Sequence, residues 1–75
     1  MAIDYERMSR VRPMQKAMLT RAKKRGYDAV RSACVEAIAE WDRIGAWPDD
    51  WSNWQRAIDD AAFAEQRPFV RLEQL

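Results

Sequence analysis

Between Asp28 and Ile44 the apolar side chains recur every three or four positions, at Val30, Cys34, Ala37, Ile38, Trp41 and Ile44. Arg31, Ser32, Glu36, Glu40, Asp42 and Arg43 take the other face. That period belongs to an α-helix with one buried stripe and predicts a helix over 28–44. Asp28 stands where an N-cap carboxylate can accept an orphan backbone N–H. Gly45 stands where a left-handed residue closes a helix, and Arg43 suits its negative end. A second stripe, Trp51, Trp54, Ile58, Ala61 and Ala62 with Phe63 at its edge, predicts a helix from 48 to about 66. Pro48 fits its first position, Asp49 and Asp50 its first turn, and Pro68 stops it. The corner Gly45-Ala46-Trp47-Pro48 is short enough to make the two helices an antiparallel hairpin, with Trp41, Trp51 and Trp54 near the bend.

The first third is patterned less sharply. Ile3, Met8 and Val11 fit one side of a short separate helix or arm within 1–12. Pro13 then breaks that helix or opens another over 13–25, whose stripe is Met14, Ala17, Met18 and Ala22, with Gly26 as its end. The tail, 68–75, alternates only in part and reads either as extended chain or as a frayed turn. Together these elements predict an all-α fold, a small three-helix bundle in a single domain over 1–75, with the N-terminal helix beside the hairpin. Composition agrees: with 48% hydrophobic residues and only two glycines, the chain is suited to helix rather than disorder. At 75 residues its core is small, so a partner or self-association is expected to add stability, a homo-oligomer being one form.

Charge changes this picture. The net value of +1 conceals a division: eight basic against two acidic side chains in 1–26, and five against ten in 27–75. No acid lies between Glu6 and Asp28. Such asymmetry points to a basic binding segment on an acidic body. Its candidate residues are Arg10, Arg12, Lys16, Arg21, Lys23, Lys24 and Arg25. On a helix, Arg12, Lys16 and Lys23 share one flank and Arg21, Lys24 and Arg25 another. Phosphates of a nucleic acid, an acidic protein surface, or acids of the chain's own other helices could each meet them. A helix-turn-helix is a poor fit, because the helix after the corner carries Asp49, Asp50, Asp59, Asp60 and Glu65 and DNA would repel it.

Candidate chemistry is sparse. There is no histidine, and the single cysteine, Cys34, lies inside an apolar stripe, where a thiol packs rather than reacts. Glu36 and Glu40 are one turn apart, but the doublets Asp49/Asp50 and Asp59/Asp60 are about 15 Å apart along a helix, too far to share an ion. No Glu-x-x-His pair, Gly-rich phosphate loop or activated serine or threonine is present (Ser9, Thr20, Ser32 and Ser52 sit in no motif). The expectation is a protein that is not an enzyme, with no catalytic residue, metal or cofactor. No apolar run approaches the roughly 18 residues of a membrane span, no apolar leader opens the chain, and a lone thiol suits a reducing compartment. A cytoplasmic setting without membrane contact follows. The basic helix has too little apolar bulk to lie on lipid.

Two further features bear on binding. Trp41, Trp51 and Trp54 have core spacing, but Trp47 lies at the corner, where an exposed indole beside polar residues makes an interface anchor. Met8, Met14 and Met18 form either an adaptable apolar surface or a loosely packed core.

The block WPDDWSNWQRAIDDAAF, preceded by VRSACVEAIAEWDRIGA, resembles small actinobacterial and actinophage proteins over residues 27–63. Those proteins have no assigned activity, so the resemblance carries no residue roles. It implies a setting: a compact phage-like accessory protein acting by occupying a surface on a host complex, as anti-CRISPR inhibitors do, although no motif ties the chain to that class. The first expectation is therefore a small binding protein that modulates a host protein or nucleoprotein complex. The alternatives are a nucleic-acid-binding accessory protein using residues 10–25 on phosphates, and a structural or oligomeric component.

Overall fold

The computed structural model describes residues 2–75 and contains three α-helices and one 3₁₀ turn, with no strand among them. They are α1 (Tyr5–Lys23), α2 (Tyr27–Ile44), α3 (Trp51–Ala64) and the 3₁₀ turn Leu72–Gln74. The chain folds as a small three-helix bundle, 40 × 22 × 16 Å. α2 is its central member, packed against both α1 and α3, which touch each other least. α2 supplies half of the buried apolar residues: Val30, Cys34, Ala37, Trp41 and Ile44 of its stripe, joined by Tyr27 and Ala33. From α3 come Trp54, Ala57, Ile58 and Ala62, and from α1 Leu19 and Ala22.

The N-terminal helix departs from its expectation. α1 runs unbroken through Pro13, so 5–12 is neither a separate helix nor an arm; residue 1 of that segment lies outside the described residues. Proline removes the bond to the carbonyl four residues back, here Ser9, which is exposed and can turn to water. Tertiary anchors hold the first turns on α2. The Asp4 backbone N–H donates to Ile44 O at 2.9 Å, and Arg7 grips Glu40 through Nε at 3.0 Å and Nη2 at 2.7 Å. The Asp4 carboxylate meanwhile accepts from the Arg7 backbone N–H at 2.9 Å, a well-formed N-cap. The buried stripe is also rotated from the expected one. Gln15, Leu19 and Ala22 face inward, whereas Met14 and Ala17 point outward.

Helix ends differ in similar ways. α2 begins at Tyr27, with Gly26 rather than Asp28 as its N-cap residue, at φ +105°. Glycine has no side chain to cap with, and the Tyr27 N–H donates instead to Glu65 Oε2, which reaches across from the end of α3 at 2.5 Å. A Cβ at position 26 would lie 3.0 Å from that same oxygen. Gly45 does close α2 in the left-handed region. α3 starts at Trp51, three residues later than expected; Pro48 is buried in the connection, and Asp49 and Asp50 precede the first turn rather than filling it. The end of α3 is a Schellman motif, with Arg67 N–H donating to Ala62 O and Gln66 N–H to Phe63 O. Its left-handed position is held by Gln66 at φ +55°, not by glycine.

The tail is ordered by a single side chain. Gln55 Nε2 donates to Val70 O at 2.6 Å, and Gln55 Oε1 accepts from Leu72 N–H at 2.9 Å. One amide thus engages the backbone as a neighbouring strand would. It brings Leu72 into the core, at 1% exposure.

Candidate binding surfaces

The basic residues separate into held and free sets. Arg7 is bound to Glu40, and Arg12 Nη1 lies 3.4 Å from Asp50 Oδ1. Arg12, partly exposed, thereby braces α1 to the connection ahead of α3. Arg10, Lys16, Arg21, Lys23, Lys24 and Arg25 form no ion pair among the described residues, and all are exposed. These six do not make one surface. Lys16 and Lys23 turn toward α3 and line a recess with Arg56, Thr20 and Asn53, where Asp50 and Asp60 offset part of their charge. Arg21 lines the groove between α1 and α2, and Arg10 precedes exposed Met14 by one helical turn on α1. Lys24 and Arg25 occupy the turn between α1 and α2.

That second flank borders a groove of about 620 Å³ between α1 and α2, large enough for side chains of a partner. Its lining includes Val11, Met14, Met18 and Ala39. Gln15 lines it too, an amide in an otherwise apolar run. The Trp41 indole N–H donates to Gln15 Oε1 at 3.3 Å. Indole only donates, so it fixes which end of the amide faces it. Gln15 Nε2 is left buried with no acceptor. Sequence reasoning missed Gln15, although the signal was there: Met8, Val11, Gln15, Met18 and Ala22 follow a three-four-three-four spacing that places a polar residue squarely in the seam.

Trp47 is 37% exposed and stacks at the corner, its ring centroid 5.1 Å from Trp41 and 5.7 Å from Trp51. Trp51, expected in the core, is exposed to a similar degree. α3 starts late, which leaves its first residue at the rim. Only Trp41 and Trp54 are buried, edge to face with centroids 5.8 Å apart.

Cys34 is fully buried, and burial pushes its thiol up to about 12, so it carries no thiolate at neutral pH. The hydrogen bond from Arg7, aided by the charges of Arg7 and Arg43, holds the Glu40 carboxyl below its ordinary value. Among the described residues no three His, Cys, Asp or Glu side chains come close enough to hold a metal ion, and no helix is long and apolar enough to cross a membrane. Compared with protein families, curated proteins and solved structures, the chain matches none.

Proposed function

We propose that this chain is a non-enzymatic binding protein, phage-like in setting, that modulates a larger cytoplasmic host protein or nucleoprotein complex by covering part of its surface, inhibition being the simplest outcome. The observation supporting the reading is the free set of cations. Arg7 and Arg12 form ion pairs within the fold, whereas Arg10, Lys16, Arg21, Lys23, Lys24 and Arg25 form none among the described residues. Cations outside any ion pair on one helix and its turn, Arg10, Arg21, Lys24 and Arg25 foremost, steer an acidic partner and add little to the fold itself. Trp47, 37% exposed at the corner between α2 and α3, supplies an aromatic anchor.

The test is chemical cross-linking and capture from host lysate, comparing the parent with Lys24→Glu/Arg25→Glu and Trp47→Ala. A specific protein or complex retained by the parent and lost from the variants supports the reading. Capture of nothing, or of the same proteins by all three, counts against it. The Lys16, Lys23 and Arg56 recess favours one further reading, contact with nucleic-acid phosphates. Titrating mixed duplex and single strands at two salt concentrations then gives a log–log slope of about −3 on duplex if the three cations each meet a phosphate. No salt-sensitive binding removes that alternative.

A further inference from the structure

We infer that the groove between α1 and α2 receives an acidic amphipathic helix of a partner protein, laid along α1 with its carboxylates toward Arg10 and Arg21. The inference rests on the binding reading above and names the partner's chemistry.

Three observations carry it. The first is shape. From Val11 to Arg21 the α1 wall is about 15 Å long at 1.5 Å per residue, roughly three turns of a docked helix. Its side chains are those that adapt to apolar ridges: Met14 stands 70% exposed beside Met18, Val11 and Ala39. The second is charge. Arg21 and Arg43 line this groove with Glu36 and Glu40, Glu40 is already committed to Arg7 and Arg43, and Arg10 follows on the same helix one turn before Met14. Arg10 and Arg21 are unpaired and flank Met14 on the same side of α1. Glu36, the acid without an ion pair on the α2 wall, sets the direction, so the acidic edge of the guest runs along α1. A second copy of this chain would bring its own arginines against these and be repelled. The third is Gln15. It is 6% exposed, lines the groove, and has an amide nitrogen without a partner that turning the amide over cannot satisfy. A carboxylate or carbonyl of the guest supplies the missing acceptor once Met14 or Met18 shifts.

The test uses the full chain and three fluorescein-labelled peptides of about 14 residues, long enough for the roughly 15 Å wall. One has leucines at i, i+4, i+7 and i+11 with glutamates between; one has the same leucines with lysines; one has the glutamate composition with the leucines scrambled. Anisotropy titrations should give the glutamate helix an affinity at least about tenfold above either other peptide. Met14→Glu, at a position exposed enough to spare the core, should abolish binding. Arg10→Glu/Arg21→Glu should transfer the preference to the lysine helix, and the Gln15 side-chain amide resonance should move on saturation. Equal affinity for all three peptides, no saturable binding, or indifference to Met14→Glu overturns the inference. Sedimentation of the protein alone decides the other occupant: a dimer dissolved by Met14→Glu would give the groove to a second copy and likewise overturn it. Capture from lysate that depends on Lys24 and Arg25 would survive either failure, so the broader reading falls separately.

Discussion

Single residues in this bundle act mostly by completing one another's hydrogen bonds over long sequence distances. Glu40 is the clearest example, gripped by Arg7 from 33 positions away while Arg43 approaches at 3.4 Å on its own helix. Its folded carboxyl is held below the ordinary value of 4.5, so the sign of the linkage is fixed. The stabilisation is present above the unfolded value and is lost as pH falls through the lower, folded one. Thermal melts from pH 7 to pH 3 should show the parent losing stability below about pH 4.5, where free carboxyls take up protons. Glu40→Gln should lower the melting temperature at pH 7 and flatten that acid limb. An acid limb unchanged in the variant would place the linkage elsewhere. The Arg43 contact follows from helical spacing along α2, but nothing in the sequence pairs Arg7 with Glu40. Cys34 was readable: an apolar stripe at helical spacing buries whatever it contains.

At the scale of the element, the apolar stripe of α2 and its left-handed Gly45 were specified by its own residues, while its first N–H is met by Glu65 at the end of α3. α1 was not, and Pro13 explains the difference. In a helix interior proline is about 3 kcal/mol less favourable than alanine, enough for local reasoning to break the helix there. The anchors at Asp4, Arg7 and Arg12, on the N-terminal side of the proline, and Leu19 and Ala22 beyond it, hold the helix together against that local preference. Pro13→Ala should therefore raise unfolding stability in urea by about 2 kcal/mol, most of the propensity difference. A neutral or destabilising result would show that the ring fits a bend the anchors require. The same displacement of local signals by packing turned the α1 stripe, because Met14 and Met18 look more apolar than Gln15 until the indole of Trp41 supplies a donor. Candidate surfaces suffered accordingly. Arg10, Arg21, Lys24 and Arg25 were identifiable as a basic run from composition, but whether acids of the other helices met them, and the groove beside Arg21, required the true facing of α1.

Across the whole molecule, the last eight residues close the structure rather than trail from it. Leu72 is fully covered, and its backbone and that of Val70 are held by the Gln55 amide. Leu72→Ala should cost about 2–5 kcal/mol, as buried leucines do, a large share of what a domain this small possesses. Denaturation followed by tryptophan emission and by far-ultraviolet dichroism should shift together in this variant. A loss confined to one probe would mean the tail docks as an independent flap. The sequence left this segment ambiguous because its order depends on an amide fifteen positions earlier, and partial alternation in a short tail carries no information about a side chain elsewhere.

The four indoles form an unbroken chain of contacts, from Trp54 through Trp41 and Trp47 to Trp51. Neighbouring chromophores at such separations share excitation, so light absorbed by the buried pair can reach the two at the rim. The molecule carries a native optical gauge at its corner. Any macromolecule that settles over Trp47 changes the wetness of the terminal emitters, and the colour of the whole protein's fluorescence with it, without a dye being attached.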